Sequence, residues 1–206
     1  MQPYVPARGR AQAVDVLLAA QIALLVLRAA GWLYVTLVGH SELARVIARG
    51  ASLSAPFMLV LFVGATVAFL AWLDRAARNL PALGASDAIE AEHVVGAFFV
   101  PMVNLVAAPW LVARVWLDSD PTPPPRARMR RLLGGWWATF LAGAAVSVMT
   151  LRPVAPGWLE LESLLRLASA LALLGIVRDI QRRQDAQWLD LEQQRAVPQP
   201  TAEALR

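Results

Sequence analysis

Hydrophobic residues gather in five windows, each about as long as a membrane-spanning helix. A hydrocarbon core about 30 Å thick requires roughly 20 mostly apolar residues. The windows, bounded by charged residues, Pro or Gly, are 16–38, 54–73, 94–116, 132–151 and 159–179. Only short connections separate them, which leaves no room for a soluble domain. The pattern predicts an all-α integral membrane helical bundle, one domain over 1–206, with five transmembrane helices and flexible tails at 1–12 and 186–206.

The third window contains residues that a spanning helix usually avoids. Pro101 and Pro109 have no backbone N–H, so the carbonyls of Ala97 and Leu105 lose their helical donors and the helix should bend. Asn104 follows Pro101 by one turn on the same face, and its amide needs a partner inside the membrane. The window therefore predicts a proline-kinked third helix with a polar face.

Charged and polar residues also enter the first window. An unpaired Arg28 near its centre would cost roughly 2.5–3.5 kcal/mol on insertion scales, and Gln21 lies two turns earlier on the same face. We expect Gln21, Arg28, Asn104 and the backbone near Pro101 to form an intramembrane polar cluster. The alternative is that Arg28 extends toward the interface or bonds a backbone carbonyl.

Composition supports the membrane class. Hydrophobic residues make up 58% of the 206 residues and charged residues 17%, whereas soluble domains average about 25% charged. Cysteine is absent, which excludes a disulfide scaffold. All 19 basic residues are Arg, and they raise the pI to 10.8 at a net charge of only +4. This balance does not indicate nucleic-acid binding.

The arginines also predict orientation, because cytoplasmic loops are rich in Arg and Lys. If the chain crosses a bacterial inner membrane five times, the distribution of its arginines places the C-terminus in the cytoplasm and the N-terminus outside. Arg8 and Arg10 argue locally against that N-terminal placement. They also precede an apolar stretch of signal-peptide type, but the apolar run continues past Arg28, which favours a retained helix.

Two further patterns suggest contacts with lipid or protein. Small residues recur every four positions in the fourth window, which allows close helix packing inside the chain or against a second copy; they are Gly135, Thr139, Gly143 and Ser147. A proline-rich run precedes a basic cluster that could attract anionic lipid or simply set topology; it comprises Arg126, Arg128, Arg130 and Arg131.

Catalytic and metal-binding patterns are weak. Glu90 and His93 form a single Glu-x-x-His, whereas a di-iron bundle needs the motif twice with further carboxylates. The chain contains no HExxH, phosphate-binding loop, GxGxxG or GxSxG. We therefore expect no catalytic site, metal or cofactor.

The stretch from Leu70 to about Arg182 resembles an uncharacterised family of bacterial multi-pass membrane proteins, domain of unknown function 4328. The likeness rests on W-x-x-R-x-x-x-N, on F-V-P-x-x-N-L and on a later proline and tryptophans; the residues are Trp72, Arg75, Asn79, Pro101, Asn104, Pro109, Trp116, Trp136 and Trp137. Arg114 departs from the pattern, since an acidic residue is common there. The resemblance implies membrane topology and no particular activity.

Two classes of function fit these features best. The first is a small scaffold or regulatory subunit that contributes helices to another membrane protein or to a second copy. The second is a small transporter or channel subunit with a midplane polar site around Arg28 and Asn104. A cavity at membrane depth lined by Gln21, Arg28 and Asn104 would favour the second class, and a dry packed core the first.

Overall fold

The computed structural model describes residues 4–39, 41–85, 91–122, 125–149 and 156–196. These ranges fold into helices joined by short turns, with no strand among them. The α-helices are α1 (Arg8–Val38), α2 (Glu42–Leu53), α3 (Ala55–Asn79), α4 (Ala91–Gly96), α5 (Pro101–Asp118), α6 (Arg126–Met149) and α7 (Pro156–Ala196). Two 3-10 segments, Leu80–Leu83 and Ala97–Phe99, follow α3 and α4. The chain is helical, as its hydrophobic pattern predicts.

The four long helices form the body of the bundle. α1 and α7 pack along each other, α3 packs against α1, and α6 packs against α7. Arg8 at the start of α1 bonds Asp185 near the end of α7, and Ser147 near the end of α6 bonds Glu162 near the start of α7. Helices α1 and α6 therefore run in one direction, and α7 runs in the other.

One end of this bundle is rich in charge. It contains the start of α1, the end of α3 and the second half of α7, which ion pairs join together. The end of α5 and the start of α6 join it through Trp116 and Arg128, both of which contact Asp179. We call this region the charged end.

The short helix α2 lies at the opposite end. The Ser41 side chain caps it by accepting a hydrogen bond from the Ala44 N–H, which is a common helix start. A Cβ on Gly31 would lie 3.1 Å from Ile47 Cγ2, so α1 and α2 approach closely there. Leu43 and Val46 remain exposed on α2. The sequence windows did not anticipate this helix.

Helices α4 and α5 form a broken hairpin in place of the expected single kinked helix. α4 packs against α3. Just after α4, the ring of Phe98 lies 6.0 Å from the ring of Phe69 on α3. Val100 is extended (φ −99°, ψ 106°), and Pro101 starts α5, where no N–H is needed. α5 then returns to the charged end at Trp116. The chain thus enters and leaves this hairpin at the same end.

Three helical segments are long and apolar enough to cross a membrane: Arg8–Val38, Glu42–Leu83 and Arg126–Met149. They cover the first, second and fourth predicted windows; Leu151, the end of the fourth, lies outside the described residues. The third window is the broken hairpin. The fifth falls on α7, whose apolar stretch is interrupted by Glu162 and Arg166 at one side and by Arg178 at the other. Five spans therefore stay a prediction.

Parts of the predicted tails, 1–12 and 186–206, fall on described residues. Tyr4 is 8% exposed and stacks on Trp188 with ring centroids 4.7 Å apart. α1 begins at Arg8 and α7 continues to Ala196. Residues 1–3 and 197–206 lie outside the described residues. The Tyr4–Trp188 contact places these two residues at the same end of the bundle, and the side of the membrane that each end of the chain faces stays a prediction.

Candidate functional site

A large cavity lies among the four long helices. Its volume is about 930 Å³, at the upper end of the range for small-molecule sites. Side chains from α1, α3, α6 and α7 form its walls, and the tip of the α4–α5 hairpin contributes Phe98, Phe99 and Asn104. Gln21 and Arg28 line it as well. We call this space the central cavity.

Aromatic rings cover much of the cavity wall. Phe62 of α3 and Phe140 of α6 stack across it, with centroids 6.4 Å apart. The remaining aromatic residues of the wall are Trp32, Phe69, Phe98, Phe99, Trp136 and Trp137. Together with aliphatic residues from α1 and α7, they make the cavity mainly apolar. Its polar groups are therefore conspicuous, since an apolar wall leaves them only one another, water or a ligand as hydrogen-bond partners.

Arg28 is the first of these polar groups. Thirteen residues separate it from Asp15 at the charged end, about 20 Å along the helix axis. Its Nη1 is 3.4 Å from Ser54 Oγ, and its Nε is buried without a hydrogen-bond partner among the described residues. Trp32, one turn later, buries an equally unpartnered indole N–H. Two donors on one face of α1 are thus left open in an apolar cavity.

Arg166 is the second arginine of the cavity, and it is well paired. Its Nε donates to Glu162 Oε1 at 2.9 Å and its Nη2 to Ser147 Oγ at 2.7 Å. Ser147 in turn lies 2.7 Å from the same Glu162 oxygen. Gly143 faces this group, since a Cβ there would be in ordinary contact with Arg166 Cγ at 3.5 Å. Two members of the predicted small-residue stripe, Gly143 and Ser147, therefore face α7.

Gln21, Arg28 and Asn104 line the same cavity, as the polar-cluster hypothesis requires, but the bond found for Arg28 goes to Ser54. Asn104 Oδ1 is buried without a partner in the described part of the chain. Pro101 contributes the first residue of α5, and its side chain lies outside the description. A direct Arg28–Asn104 contact stays a prediction.

Pro109 lies inside α5 and removes one backbone N–H donor from it, as the sequence predicts. The carbonyl of Leu105, which has no helical donor at Pro109, accepts a hydrogen bond of 2.8 Å from the indole N–H of Trp137. A side chain of α6 thus satisfies the acceptor that the proline leaves free. This bond fastens the hairpin to α6 beside the cavity.

The remaining motif residues lie at the charged end, away from the cavity. The Trp116 indole donates to Asp179 Oδ2 at 2.9 Å, and that carboxylate also binds Arg183 and Arg128. The Trp72 indole donates to Gln181 Oε1 at 3.1 Å. Both tryptophans are fully buried. They join α3 and α5 to the second half of α7.

The first residues of the chain complete this network. Asn79 accepts a hydrogen bond from the Val5 N–H and donates to the Val5 carbonyl. The Tyr4 hydroxyl donates to Asp185 Oδ1 at 3.0 Å. Burial and the neighbouring Asp185 carboxylate raise the pKa of the Tyr4 hydroxyl far above its ordinary value. Arg75 of the same motif is half-buried and forms no ion pair within the described ranges.

Other predicted residues lie on the surface. Arg126, Arg130 and Arg131 are exposed and have no carboxylate partner in the described part of the chain, whereas Arg128 binds Asp179. Gly135 is exposed with open space around it, and Thr139 bonds the Gly135 carbonyl within its own helix. The described residues hold no group of three metal-ligating side chains. The sequence analysis missed Trp32, Ser54 and the cavity role of Glu162 and Arg166, although the spacing of the last two is typical of a helical ion pair.

Comparison with known proteins identifies the family. The model of the domain of unknown function (DUF4328) matches residues 36–182. This is more than half of the chain, so the protein belongs to that family. No curated protein and no solved structure matches it.

Proposed function

We propose that this member of the family binds an amphipathic molecule within the membrane, as the binding unit of a small transporter or of a lipid-handling protein. The observation that carries the proposal is the central cavity lined jointly by Gln21, Arg28 and Asn104. A scaffold needs no internal space of about 930 Å³, and a dry packed core would have been its expected sign.

The lining supports a ligand with an apolar body and a polar end. Eight aromatic side chains offer a surface for hydrocarbon, and the charged residues of the lining are Arg28, Glu162 and Arg166. The broken hairpin adds to this interpretation. Interrupted helices that end inside a bundle line the substrate sites of many transporters, because their exposed backbone groups can be satisfied only by protein, water or ligand.

We also propose a topology in which four helices cross a bacterial plasma membrane and the α4–α5 hairpin is re-entrant. α1, α3, α6 and α7 are the crossing helices, and both ends of the chain lie in the cytoplasm. Arginines support it, since most of the described ones lie at the charged end and cytoplasmic segments are rich in basic residues. Arg28 and Arg166 line the cavity, and Arg45 and Arg49 lie on α2 at the opposite end.

Cavity filling tests the binding function. Ala144→Phe places a ring in the central cavity, whereas Ala145→Phe adds the same ring at an exposed neighbour outside the lining. We expect native mass spectrometry of the full chain, released from native membranes, to show bound amphiphile for wild type and A145F. A144F should lose at least nine tenths of it.

Equal retention by the two variants, or no bound amphiphile in any sample, would contradict the binding function. The scaffold role would then be the better proposal. Exposed Gly135, with open space around it, would be the place to search for a second helix.

Cysteine labelling tests the topology, and the natural chain contains no cysteine that would interfere. In intact cells, an impermeant maleimide should label Arg49→Cys and leave Gly9→Cys and Asp190→Cys unlabelled. Ala82→Cys and Thr122→Cys, on either side of the hairpin, should both stay unlabelled. If Thr122→Cys alone were labelled, α5 would cross the membrane and the re-entrant topology would be wrong.

A further inference from the structure

The open hydrogen-bonding groups near Arg28 are donors. Arg28 Nε and Trp32 Nε1 are buried without an acceptor among the described residues. Arg28 Nη1 reaches Ser54 Oγ only at 3.4 Å, near the limit of a hydrogen bond. A group that satisfied this face of α1 would have to bring acceptor oxygens.

The charge around Arg28 points the same way. The other charged residues of the cavity are Glu162 and Arg166, which pair with each other at 2.9 Å. Ser147 binds both members of that pair, and Glu162 Oε1 accepts hydrogen bonds from both Ser147 and Arg166. The lining therefore carries one arginine charge in excess. In an apolar cavity an excess charge favours a ligand group of the opposite sign.

From these contacts we infer that the cavity selects an amphiphile with an anionic oxygen-rich head, a phosphate monoester or a carboxylate. This inference rests on the proposed binding function and specifies its ligand class. The head lies against Arg28 and Trp32, where charged oxygens accept from both donors. The hydrocarbon body lies along the aromatic wall around Phe62 and Phe140. The Glu162–Arg166 pair remains intact beside the head.

The test compares heads on one common chain. The full protein is held in nanodiscs, and native mass spectrometry measures competition among dodecyl phosphate, dodecylphosphocholine and dodecyltrimethylammonium. Wild type should prefer dodecyl phosphate over the other two by about tenfold or more, the change expected from one charge-assisted hydrogen bond. Arg28→Gln should abolish the preference for dodecyl phosphate, but it should still bind the dodecyl compounds through their apolar chain. Arg49→Gln, which removes an exposed arginine of α2, should keep the preference.

Two milder variants keep the test valid if Arg28→Gln does not fold. Arg28→Lys retains the cation and should retain a preference for phosphate. Trp32→Phe keeps a ring and removes the donor, so the preference should fall about threefold. Dodecyl phosphate bound to wild type should resist displacement by inorganic phosphate, because the free ion lacks an apolar body.

The outcomes separate the two proposals. If all three heads bind wild type equally and A144F still blocks them, the anionic selectivity is wrong and the binding function stands. If Ala144→Phe reduces the binding of none of the three probes, both the anionic selectivity and the binding function are wrong. If inorganic phosphate displaced dodecyl phosphate, the proposal of an amphiphilic ligand would be wrong and the site would be assigned to a free anion.

Discussion

The charged end and the central cavity differ in which buried groups lack a partner among the described residues: two acceptors at the charged end, Asp15 Oδ1 and Gln184 Oε1, but two donors on α1 in the cavity. At the charged end, Trp72 and Trp116 donate their indole N–H groups to Gln181 and Asp179. In the cavity, the indole of Trp32 is buried without an acceptor among the described residues. Asp179 is shared by two arginines and a tryptophan, whereas Arg28 has one long hydrogen bond.

This difference separates stability from function. Satisfied buried networks hold helices in one arrangement, and loss of one member leaves the others without partners. Unsatisfied buried groups lower stability, so their presence calls for another explanation such as ligand binding. The motif residues Trp72, Asn79 and Trp116 serve the first purpose. The motif residues Asn104, Trp136 and Trp137 line the cavity.

The largest effect should come from removing Asp179. Asp179→Ala removes the partner of the Trp116 indole and of Arg128 at a site where Asp179 is 8% exposed, and it leaves Arg183 with only Asp120 and the Thr122 carbonyl. We expect the free energy of unfolding to fall by about 3 kcal/mol, measured by tryptophan fluorescence in mixed detergent micelles. Asp190→Ala, an exposed change on the same helix, should alter it by less than about 0.5 kcal/mol. Similar values for the two would mean that the network does not stabilise the bundle.

Arg28→Met should raise the free energy of unfolding rather than lower it. It removes an arginine that lacks adequate partners, so the ligand-free protein should gain about 2 kcal/mol in the same assay. Arg166→Met leaves Glu162 unpaired, and its stability should fall by about 1–2 kcal/mol. If Arg28→Met destabilised the protein as much as Arg166→Met, Arg28 would be a structural residue and the contrast between the two regions would fail.

A smaller effect should follow from Trp72→Phe. This change keeps a ring in place and removes only the hydrogen bond to Gln181, so we expect a loss of about 1 kcal/mol. Trp110→Phe is the matched control, because Trp110 is 60% exposed. Thermal unfolding in nanodiscs would show the difference as a lower Tm for Trp72→Phe alone.

Parts of this structure follow from local properties of the chain. Long apolar windows must be helical in a membrane, because each backbone group needs an internal partner. The missing N–H of Pro109 frees the Leu105 carbonyl wherever the helix lies, and only the identity of its new donor, Trp137, depends on the fold. The cost of an isolated Arg28 in hydrocarbon likewise marks it without any structure.

Other features depend on contacts between distant segments. Pro101 is compatible with a bent helix or with a new helix start, and the packing of α4 on α3 selects the second. The polar turns of α7 that follow its apolar stretch contact three other segments: Trp116 bonds Asp179, Trp72 bonds Gln181 and Tyr4 stacks on Trp188.

The sequence by itself determined the class of the protein, its apolar helices and the residues whose polar groups needed partners. Only the tertiary structure decided which groups found them. Helix formation depends on neighbours three or four residues away, so it can be inferred locally. The contact between Tyr4 and Trp188 and the hydrogen bond between Trp72 and Gln181 join segments more than a hundred residues apart at the charged end. Hydrophobic pattern alone carries no information about those distances.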